Sequence, residues 1–408
     1  MRVAIFSHTP LEYFGGGEVT AILLANWMAR EGGEVEFLSE AGYAGPRRVP
    51  AEEVRAQLDP RVRLGTVPFD DRKWAGFPSI WRSTLPAVGR LTGNDANLML
   101  LPTVPDRRYL LELYDRRVPV MFLLHSLTLD QPFRLRRKIL WNELLHHLSL
   151  YSLRGLPTNP RLLYQVLNDR AETLLRAHGA APEQVRLIPT GIDFARYEVR
   201  EDGGRFRVAF VGRIEEPWKG IDLLRATVER TLARAPGAVE FVLMGSGPDG
   251  EPLGAWAKGL PGVRYRGFVP FEEKVAELAS ASVMLSTSGA EPYGLSSVEG
   301  LASGLPLVAT ATAGSTYLLR QDPVFGRAGP FSAAGLADLL LGYRREWARD
   351  PGRYLAERRS RRERARALFD LPQMFPRYAQ CLRDLTAPAG AGPGAATRGG
   401  RTPEPGRG

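Results

Sequence analysis

The chain has 408 residues, of which 44% are apolar, with 54 basic and 45 acidic side chains. This length exceeds what one hydrophobic core usually supports, so two domains are expected. No apolar run is long enough to cross a bilayer and no cleavage-site pattern follows the first strand, which predicts a cytoplasmic protein. The single cysteine, Cys381, excludes an internal disulfide and a thiolate zinc site.

The net charge of +9 and the isoelectric point of about 9.8 favour anionic partners. Nucleic acid, anionic lipid headgroups and phosphate-bearing substrates all fit such a balance. Charge alone does not choose among these three classes.

Hydrophobic runs alternate with amphipathic segments along the chain, as in parallel strands joined by crossover helices. In the first half, strands are predicted at 3–7, 35–38, 98–101, 120–124, 162–167 and 185–188. In the second half, they are predicted at 207–211, 239–244, 263–266, 283–286 and 307–309. The fold class is therefore α/β, with two doubly wound parallel sheets.

Composition sets the predicted domain limits. The polar, glycine-bearing stretch 201–205 separates a domain at 1–200 from one at 201–370. Ligands bind beyond the carboxyl ends of the strands in such sheets, so two facing sheets would enclose a cleft. A helix is predicted over 371–386, and the Ala-, Gly-, Pro- and Arg-rich tail at 387–408 is predicted to be disordered.

A glycine-rich turn follows the first strand and includes Gly15 and Gly16. Glycines let the backbone approach a bulky anion, and the next helix supplies free N–H groups at its N-terminus. The alternative is a tight turn without a ligand, which is the more frequent case.

His125 also follows a strand, where a histidine can orient or polarise a substrate. A lone histidine more often only satisfies a loop carbonyl.

Two cations follow the first strand of the second half. Arg213 comes just after that strand and Lys219 just before a helix, so both can project into one crevice. An arginine fork and a mobile lysine charge would suit a diphosphate. Without further support, both would be interpreted as solvated loop charges.

A later strand ends in Gly267, Phe268 and Val269. The aromatic and apolar side chains of this turn can face a nucleotide base or belong to the core.

The most informative stretch contains two carboxylates, Glu291 and Glu299. Pro292 keeps Glu291 outside the helix that begins near Ser296, whereas Glu299 lies within it. The carboxylates can accept hydrogen bonds from sugar hydroxyls while the helix N-terminus holds phosphate oxygens. Ser296 and Glu299 also have the spacing of a capping box, which needs no ligand.

A basic amphipathic segment at 134–148 suits either an anionic membrane surface or the wall of a cleft, and the cleft wall is the preferred interpretation. The arginines at 344–366 are interleaved with glutamates and indicate a solvated helical face.

Taken in order, these residues resemble glycosyltransferase family 4, the retaining transferases with the GT-B fold of two facing Rossmann-like domains. The resemblance runs from the first strand to about Leu385 and is strongest over 206–315. Its most specific element is Glu-x7-Glu, here Glu291 and Glu299. The resemblance also implies that the last helix crosses back onto the first domain.

Site roles follow from the same resemblance. Glu299 would hold the ribose and Glu291 a sugar hydroxyl, while the amides of Gly294 and Leu295 would bind the phosphate or sugar. Arg213 and Lys219 would neutralise the diphosphate. The remaining members of the implied site are Gly15 and Gly16 at the phosphate, Gly267, Phe268 and Val269 at the base, and His125 beside the reacting sugar.

The implied reaction transfers a sugar from a UDP- or GDP-sugar to an unidentified acceptor with retention of configuration. No cofactor and no metal are expected, because cations already supply the charge and no Asp-x-Asp pair occurs. Partners are the nucleotide-sugar donor and a glycan, lipid-linked or small-molecule acceptor, with peripheral contact at the inner face of an anionic membrane left open.

The sequence departs from the family pattern after Ser315, where 316–329 is short and irregular, and at Gly300, where alanine is commoner. An epimerase or phosphorylase of the same fold is the nearest alternative. Nucleic-acid binding is disfavoured because paired carboxylates repel phosphates, and a dinucleotide-dependent oxidoreductase lacks its full glycine motif.

Overall fold

A computed structural model describes residues 1–10, 16–41, 51–68, 85–127, 137–201, 203–216 and 218–387. Two parallel β-sheets, each flanked by helices, account for most of these residues. We call the seven-stranded sheet and its helices the first domain, and the six-stranded sheet and its helices the second domain.

The first domain contains seven strands in the spatial order β3-β2-β1-β4-β5-β6-β7. All neighbouring pairs are parallel. The strands are β1 (Arg2–Pro10), β2 (Glu34–Ala41), β3 (Arg63–Pro68), β4 (Ala96–Leu100), β5 (Val120–Leu123), β6 (Leu162–Val166) and β7 (Val185–Leu187). The helices are α1 (Gly16–Arg30), α2 (Ala51–Arg55), α3 (Val88–Leu91), α4 (Arg107–Asp115), α5 (Arg137–Leu150) and α6 (Asp169–Ala177).

The second domain has six strands in the order β10-β9-β8-β11-β12-β13, again all parallel. The strands are β8 (Arg207–Val211), β9 (Glu240–Met244), β10 (Val263–Gly267), β11 (Val283–Ser286), β12 (Leu307–Thr310) and β13 (Gly326–Gly329). The helices are α7 (Ile221–Arg234), α8 (Gly250–Lys258), α9 (Phe271–Ala279), α10 (Leu295–Ala302), α11 (Ala313–Gln321), α12 (Ala333–Arg349) and α13 (Pro351–Phe369).

The last helix, α14 (Leu371–Thr386), packs on the first domain. Its buried face joins the core cluster formed by β1, β2, β4 and α1, and Phe375 stacks on Trp27 with ring centroids 4.9 Å apart. The side chains that form this face are Met374, Tyr378, Cys381, Leu382 and Leu385. The first strand and the last described helix therefore belong to the same domain.

The central strands match the sequence prediction because they are mostly apolar and are buried at every position. Two edge strands were not predicted. β3 contains Arg63 and Gly65, and β13 reads Gly-Arg-Ala-Gly, so neither shows an apolar run. The expectation that 316–329 is irregular was wrong, since helix α11 and strand β13 occupy much of it.

Other predictions lie outside what the structure describes. The tail at 388–408 and residues 134 and 136 of the basic segment are among these. The boundary near residue 200 stays a prediction. Within the described residues, none of the helices combines the length and apolar character needed for a membrane span.

Candidate functional site

The loop after β11 ends at a helix with an open N-terminus. Gly294 precedes α10 with φ 92°, a left-handed conformation that favours glycine, and no side chain caps the helix. Ser296 is thus not the capping residue, and Glu299 does not close a capping box. The first amides of α10 are left for another acceptor, as at anion sites on helix N-termini.

Glu291 lies on this loop and faces Lys219. The Lys219 Nζ forms an ion pair with Glu291 Oε2, and Ser288 Oγ donates to the same oxygen at 3.3 Å. The two loops are also joined through Thr287 Oγ1, which donates to the Lys219 carbonyl at 2.8 Å. Both charged side chains are about four-fifths buried, at 20% and 16% exposure. The sequence analysis predicted one crevice for Arg213 and Lys219, and this contact adds Glu291 beside Lys219.

Glu299 is held by two residues that the sequence analysis did not select. Lys274 Nζ and the Tyr197 hydroxyl contact Glu299 Oε1 at 2.6 and 3.0 Å. Burial, followed by the charge of Glu299, raises the pKa of Tyr197, so this hydroxyl stays a donor. Lys274 is one of only five lysines in an arginine-rich chain, which was the one available signal for it.

Arg213 lies beside Lys219 but has its own partner. Its Nε contacts Glu215 Oε2 at 2.6 Å, and about a third of the side chain is exposed. The Lys219 side chain passes over Gly212, where an added Cβ would meet its Cε at 3.5 Å. Both cations therefore lie at the carboxyl end of β8, next to the loop that carries Glu291.

The turn after β10 separates its two predicted base contacts. Phe268 is 68% exposed, whereas Val269 is 8% exposed and packs within a core cluster. The Phe268 ring is thus free to stack on a planar group, and only the backbone of Val269 is accessible to one. Gly267 has φ 64°, which allows this abrupt change of direction.

The two domains touch at the N-termini of α1 and α10. A Cβ added to Gly16 would lie 3.0 Å from Leu295 Cδ1, so glycine permits this approach. Asn168 Nδ2 donates to the Pro292 carbonyl at 2.8 Å, and the Tyr293 hydroxyl donates to the Thr190 carbonyl at 2.9 Å. Gly16 therefore lies against the Glu291–Leu295 segment. Gly15 lies outside the described residues.

His125 lies next to the first turn of α1, where its Cβ would be 3.8 Å from a Cβ added to Gly17. Its Nε2 contacts Gln165 Oε1 at 2.7 Å, while Gln165 Nε2 donates to the Ile188 carbonyl at 2.6 Å. This arrangement makes Nε2 the protonated nitrogen and leaves Nδ1 as an acceptor. Burial lowers the pKa of His125 to about 4, so the ring is neutral at pH 7.

Most of the second domain matches a known protein family. Residues 205–339 match the family model described as "Glycosyl transferases group 1", which spans β8 to α12. The second domain is thus similar to glycosyltransferase group 1 domains.

Similar proteins include glycosyltransferases. The chain is 27% identical over 348 residues to an MMP alpha-(1->4)-mannosyltransferase of Mycolicibacterium hassiacum, covering 76% of this chain and 81% of that protein. It is 35% identical over 164 residues to a phosphatidyl-myo-inositol mannosyltransferase of Mycolicibacterium smegmatis, which covers 38% of this chain and 42% of that protein. The second alignment thus spans less than half of either chain.

Solved structures share the fold of nearly the whole chain. Sucrose-phosphate synthase from Thermosynechococcus elongatus superposes with a TM-score of 0.72 at 19% identity, over 94% of this chain and 99% of that one. Anabaena HepE in complex with UDP and glucose gives 0.67 at 19% identity, over 94% and 100% of the two chains. The architecture is GT-B, with two Rossmann-like domains facing each other.

Proposed function

We propose that the protein is a retaining glycosyltransferase that uses a nucleotide-diphosphate sugar, and that the donor binds where α10 meets α1. The observation that supports this most is the grouping of three cation–carboxylate pairs around the uncapped start of α10. These pairs are Lys219 with Glu291, Lys274 with Glu299, and Arg213 with Glu215.

The diphosphate would bind at the start of α10. Free N–H groups and the positive end of the helix dipole favour an anion there, and Gly16 brings a second helix N-terminus to the same place. Arg213 and Lys219 would add two positive charges. Since a carboxylate already orients each cation, less side-chain entropy is lost when the donor binds.

The rest of the donor would bind through acceptors and an aromatic face. Ionised carboxylates only accept hydrogen bonds, so Glu299 suits the ribose hydroxyls and Glu291 a sugar hydroxyl. The exposed Phe268 ring would stack on the base. In this placement His125 Nδ1 would accept a hydrogen bond from the transferred sugar.

The proposed reaction is front-face displacement. The bond from the anomeric carbon to the acceptor oxygen forms as the bond to the phosphate oxygen breaks, on the same face of the ring. The acceptor proton passes to the departing phosphate oxygen, so no protein nucleophile is required. Arg213, Lys219 and the α10 amides would stabilise the charge that develops on the leaving group.

We also propose that transfer needs no divalent metal, because Arg213 and Lys219 provide the positive charge at the diphosphate. Activity that survives exhaustive EDTA treatment would support this, whereas activity restored only by Mg²⁺ or Mn²⁺ would contradict it. The acceptor is proposed to be a glycan, a lipid-linked sugar or a small molecule. One relative named above is a phosphatidyl-myo-inositol mannosyltransferase, whose name states a lipid substrate.

Thermal denaturation with nucleotides tests the donor site. UDP or GDP should raise the melting temperature, whereas NAD and an oligonucleotide should not. Arg213→Ala and Glu299→Ala should each abolish the shift while leaving a cooperative transition. Arg230→Ala, an exposed arginine on α7, is the matched control and should keep the shift. A chain that responds to neither nucleotide would overturn the proposal.

Incubation with a panel of UDP- and GDP-sugars, scored for released nucleotide with and without acceptors, would then identify the donor. The anomeric configuration of the product, measured by NMR, decides between retention and inversion.

A further inference from the structure

A recess of about 470 Å³ opens at the amino-terminal edge of the first sheet. Its walls include the connections that precede β4, β5 and β6, which supply Asn94, Asp95, Arg116, Arg117 and Arg161. The strands run parallel, so this edge is opposite the one that carries the loops of the proposed donor site. The recess and the interdomain cleft are therefore separate.

The recess carries an excess of positive charge. Arg116 is paired with Glu112 at 3.2 Å, but Arg117 and Arg161 have no acidic partner within the part of the chain that the structure describes. The single lining carboxylate, Asp95, accepts a hydrogen bond from the Arg2 amide at 2.7 Å. Two guanidinium groups are thus available to an anion.

Arg117 adopts a backbone conformation that is costly for its residue type. Its φ is 53°, and it is the one non-glycine residue with positive φ among those described. It occupies the position after the last turn of α4, where Val118 N donates to the Leu113 carbonyl at 3.0 Å. Glycine is usual at such helix ends. Glycine at this position would avoid the strain. The presence of arginine therefore indicates a role for the Arg117 side chain.

The helix dipole of α4 does not account for the whole cluster. Arg116 and Arg117 lie at the C-terminus of α4, where cations are favourable. Arg161 comes from a different connection, between α5 and β6, and its Nη1 donates to the Arg117 carbonyl at 3.4 Å. This contact brings the second guanidinium to the strained residue rather than to the helix.

We propose that this recess binds a small phosphate-bearing molecule through Arg117 and Arg161. Guanidinium groups match the geometry of phosphate oxygens, and the volume is in the range of small-molecule sites. Asn94, which is partly buried at the same edge, would supply a further polar contact. The phosphate can belong to a soluble phosphomonoester or to a lipid headgroup, and the test separates these sources.

Calorimetric titration of the full chain with glycerol phosphate tests the site. Arg117→Gly removes the guanidinium while relieving the strained φ, so the variant should fold at least as well as the parent. Arg117→Gly and Arg161→Gln should each weaken binding about tenfold, the loss expected for one charge-assisted hydrogen bond.

Two control variants locate the effect. Arg108→Gln changes an exposed arginine at the other end of α4 and should leave the affinity within about twofold, since removing one distant exposed charge has a small effect. Arg213→Ala alters the proposed donor site and should leave glycerol phosphate binding intact. Equal loss in Arg108→Gln would show unspecific charge attraction, and loss only in Arg213→Ala would place the phosphate in the cleft. Either result would overturn the proposal. So would the absence of saturable binding both to glycerol phosphate and to phosphatidic acid vesicles.

Co-sedimentation with phosphatidic acid vesicles distinguishes the source of the phosphate. Binding of the soluble ester alone supports a free metabolite, and binding of vesicles alone, lost in Arg117→Gly, supports a lipid headgroup. Vesicle binding that survives in Arg117→Gly would count against the recess.

Discussion

Glu299 is held from two sides, and each partner makes a different contribution. Lys274 supplies an ion pair and Tyr197 a neutral hydrogen bond, and both side chains come from outside α10. Lys274→Met should weaken UDP binding about tenfold, because the carboxylate loses a charge-assisted contact that orients it. Tyr197→Phe should have a smaller effect, of about 1 kcal/mol. Calorimetry with UDP measures both.

The matched control for Lys274→Met is Lys258→Met, at the exposed end of α8. It removes the same charge from the same domain and should not alter UDP affinity. If both variants weaken UDP binding equally, net charge rather than the position of Glu299 is responsible.

His125 makes stability depend on pH. Its pKa is lowered from 6.5 to about 4 by burial, partly opposed by the hydrogen bond with Gln165. Below pH 6.5 the unfolded chain binds a proton at His125 that the folded chain excludes. The stabilising contribution of the neutral His125 to folding is therefore complete above pH 6.5 and decreases as the pH falls towards 4. His125 should therefore cost about 2 kcal/mol of folding free energy between pH 8 and pH 5.

Urea unfolding at these two pH values measures this dependence. His125→Gln should reduce the difference between them by about 2 kcal/mol. Some acid sensitivity should persist, because burial also lowers the pKa of His146 to about 3. An unchanged pH dependence in His125→Gln would contradict the neutral assignment of this ring.

At the scale of elements, the loops of the proposed donor site owe their conformation to glycines that immediately precede helices. Gly220 immediately precedes α7 with φ 60°, and an added Cβ would lie 2.2 Å from the Thr287 carbonyl oxygen. Gly220→Ala should therefore destabilise the protein and displace Lys219 from Glu291. We expect the loss of unfolding free energy to exceed that of the control by at least about 1 kcal/mol.

Gly237→Ala is the matched control, since Gly237 also has positive φ, 68°, but its Cβ would meet nothing within 4 Å. Both variants are strained, and only Gly220→Ala clashes. Thermal and urea unfolding compare them, and equal losses would show that the contact with Thr287 carries no weight.

The sequence predicted these elements correctly where the local residue pattern determines them. Pro292 correctly indicated that Glu291 lies before the helix. The alternative capping box of Ser296 and Glu299 had suitable spacing, but the helix begins earlier, at Leu295, because the left-handed Gly294 already ends the loop. The edge strands β3 and β13 lacked a signal, since their pairing depends on the neighbouring strand rather than on their own apolar residues.

At the scale of the whole molecule, Gly16 allows the two domains to approach. A larger side chain there must displace Leu295, so Gly16→Leu should hold the domains apart. In the proposed site most nucleotide contacts come from the second domain, so nucleotide binding should fall less than about tenfold, whereas sugar transfer should be lost. Transfer assays and UDP titration measure these two effects separately.

Gly89→Leu is the control, because a Cβ added to Gly89 on α3 would meet nothing within 4 Å. This variant should retain both sugar transfer and nucleotide binding. Full transfer by Gly16→Leu would show that the contact between α1 and α10 is not required.

The sequence by itself determined the two-sheet α/β architecture and the set of cations, glycines and carboxylates beside strand ends. Strand periodicity and glycine turns are local properties, so they can be read from neighbouring residues. The tertiary structure alone decided that Lys219 meets Glu291, that Tyr197 and Lys274 hold Glu299, and that Val269 is buried while Phe268 is exposed. Those contacts join residues of separate loops and helices, and only the packing of the second domain fixes which of many possible charge pairs forms.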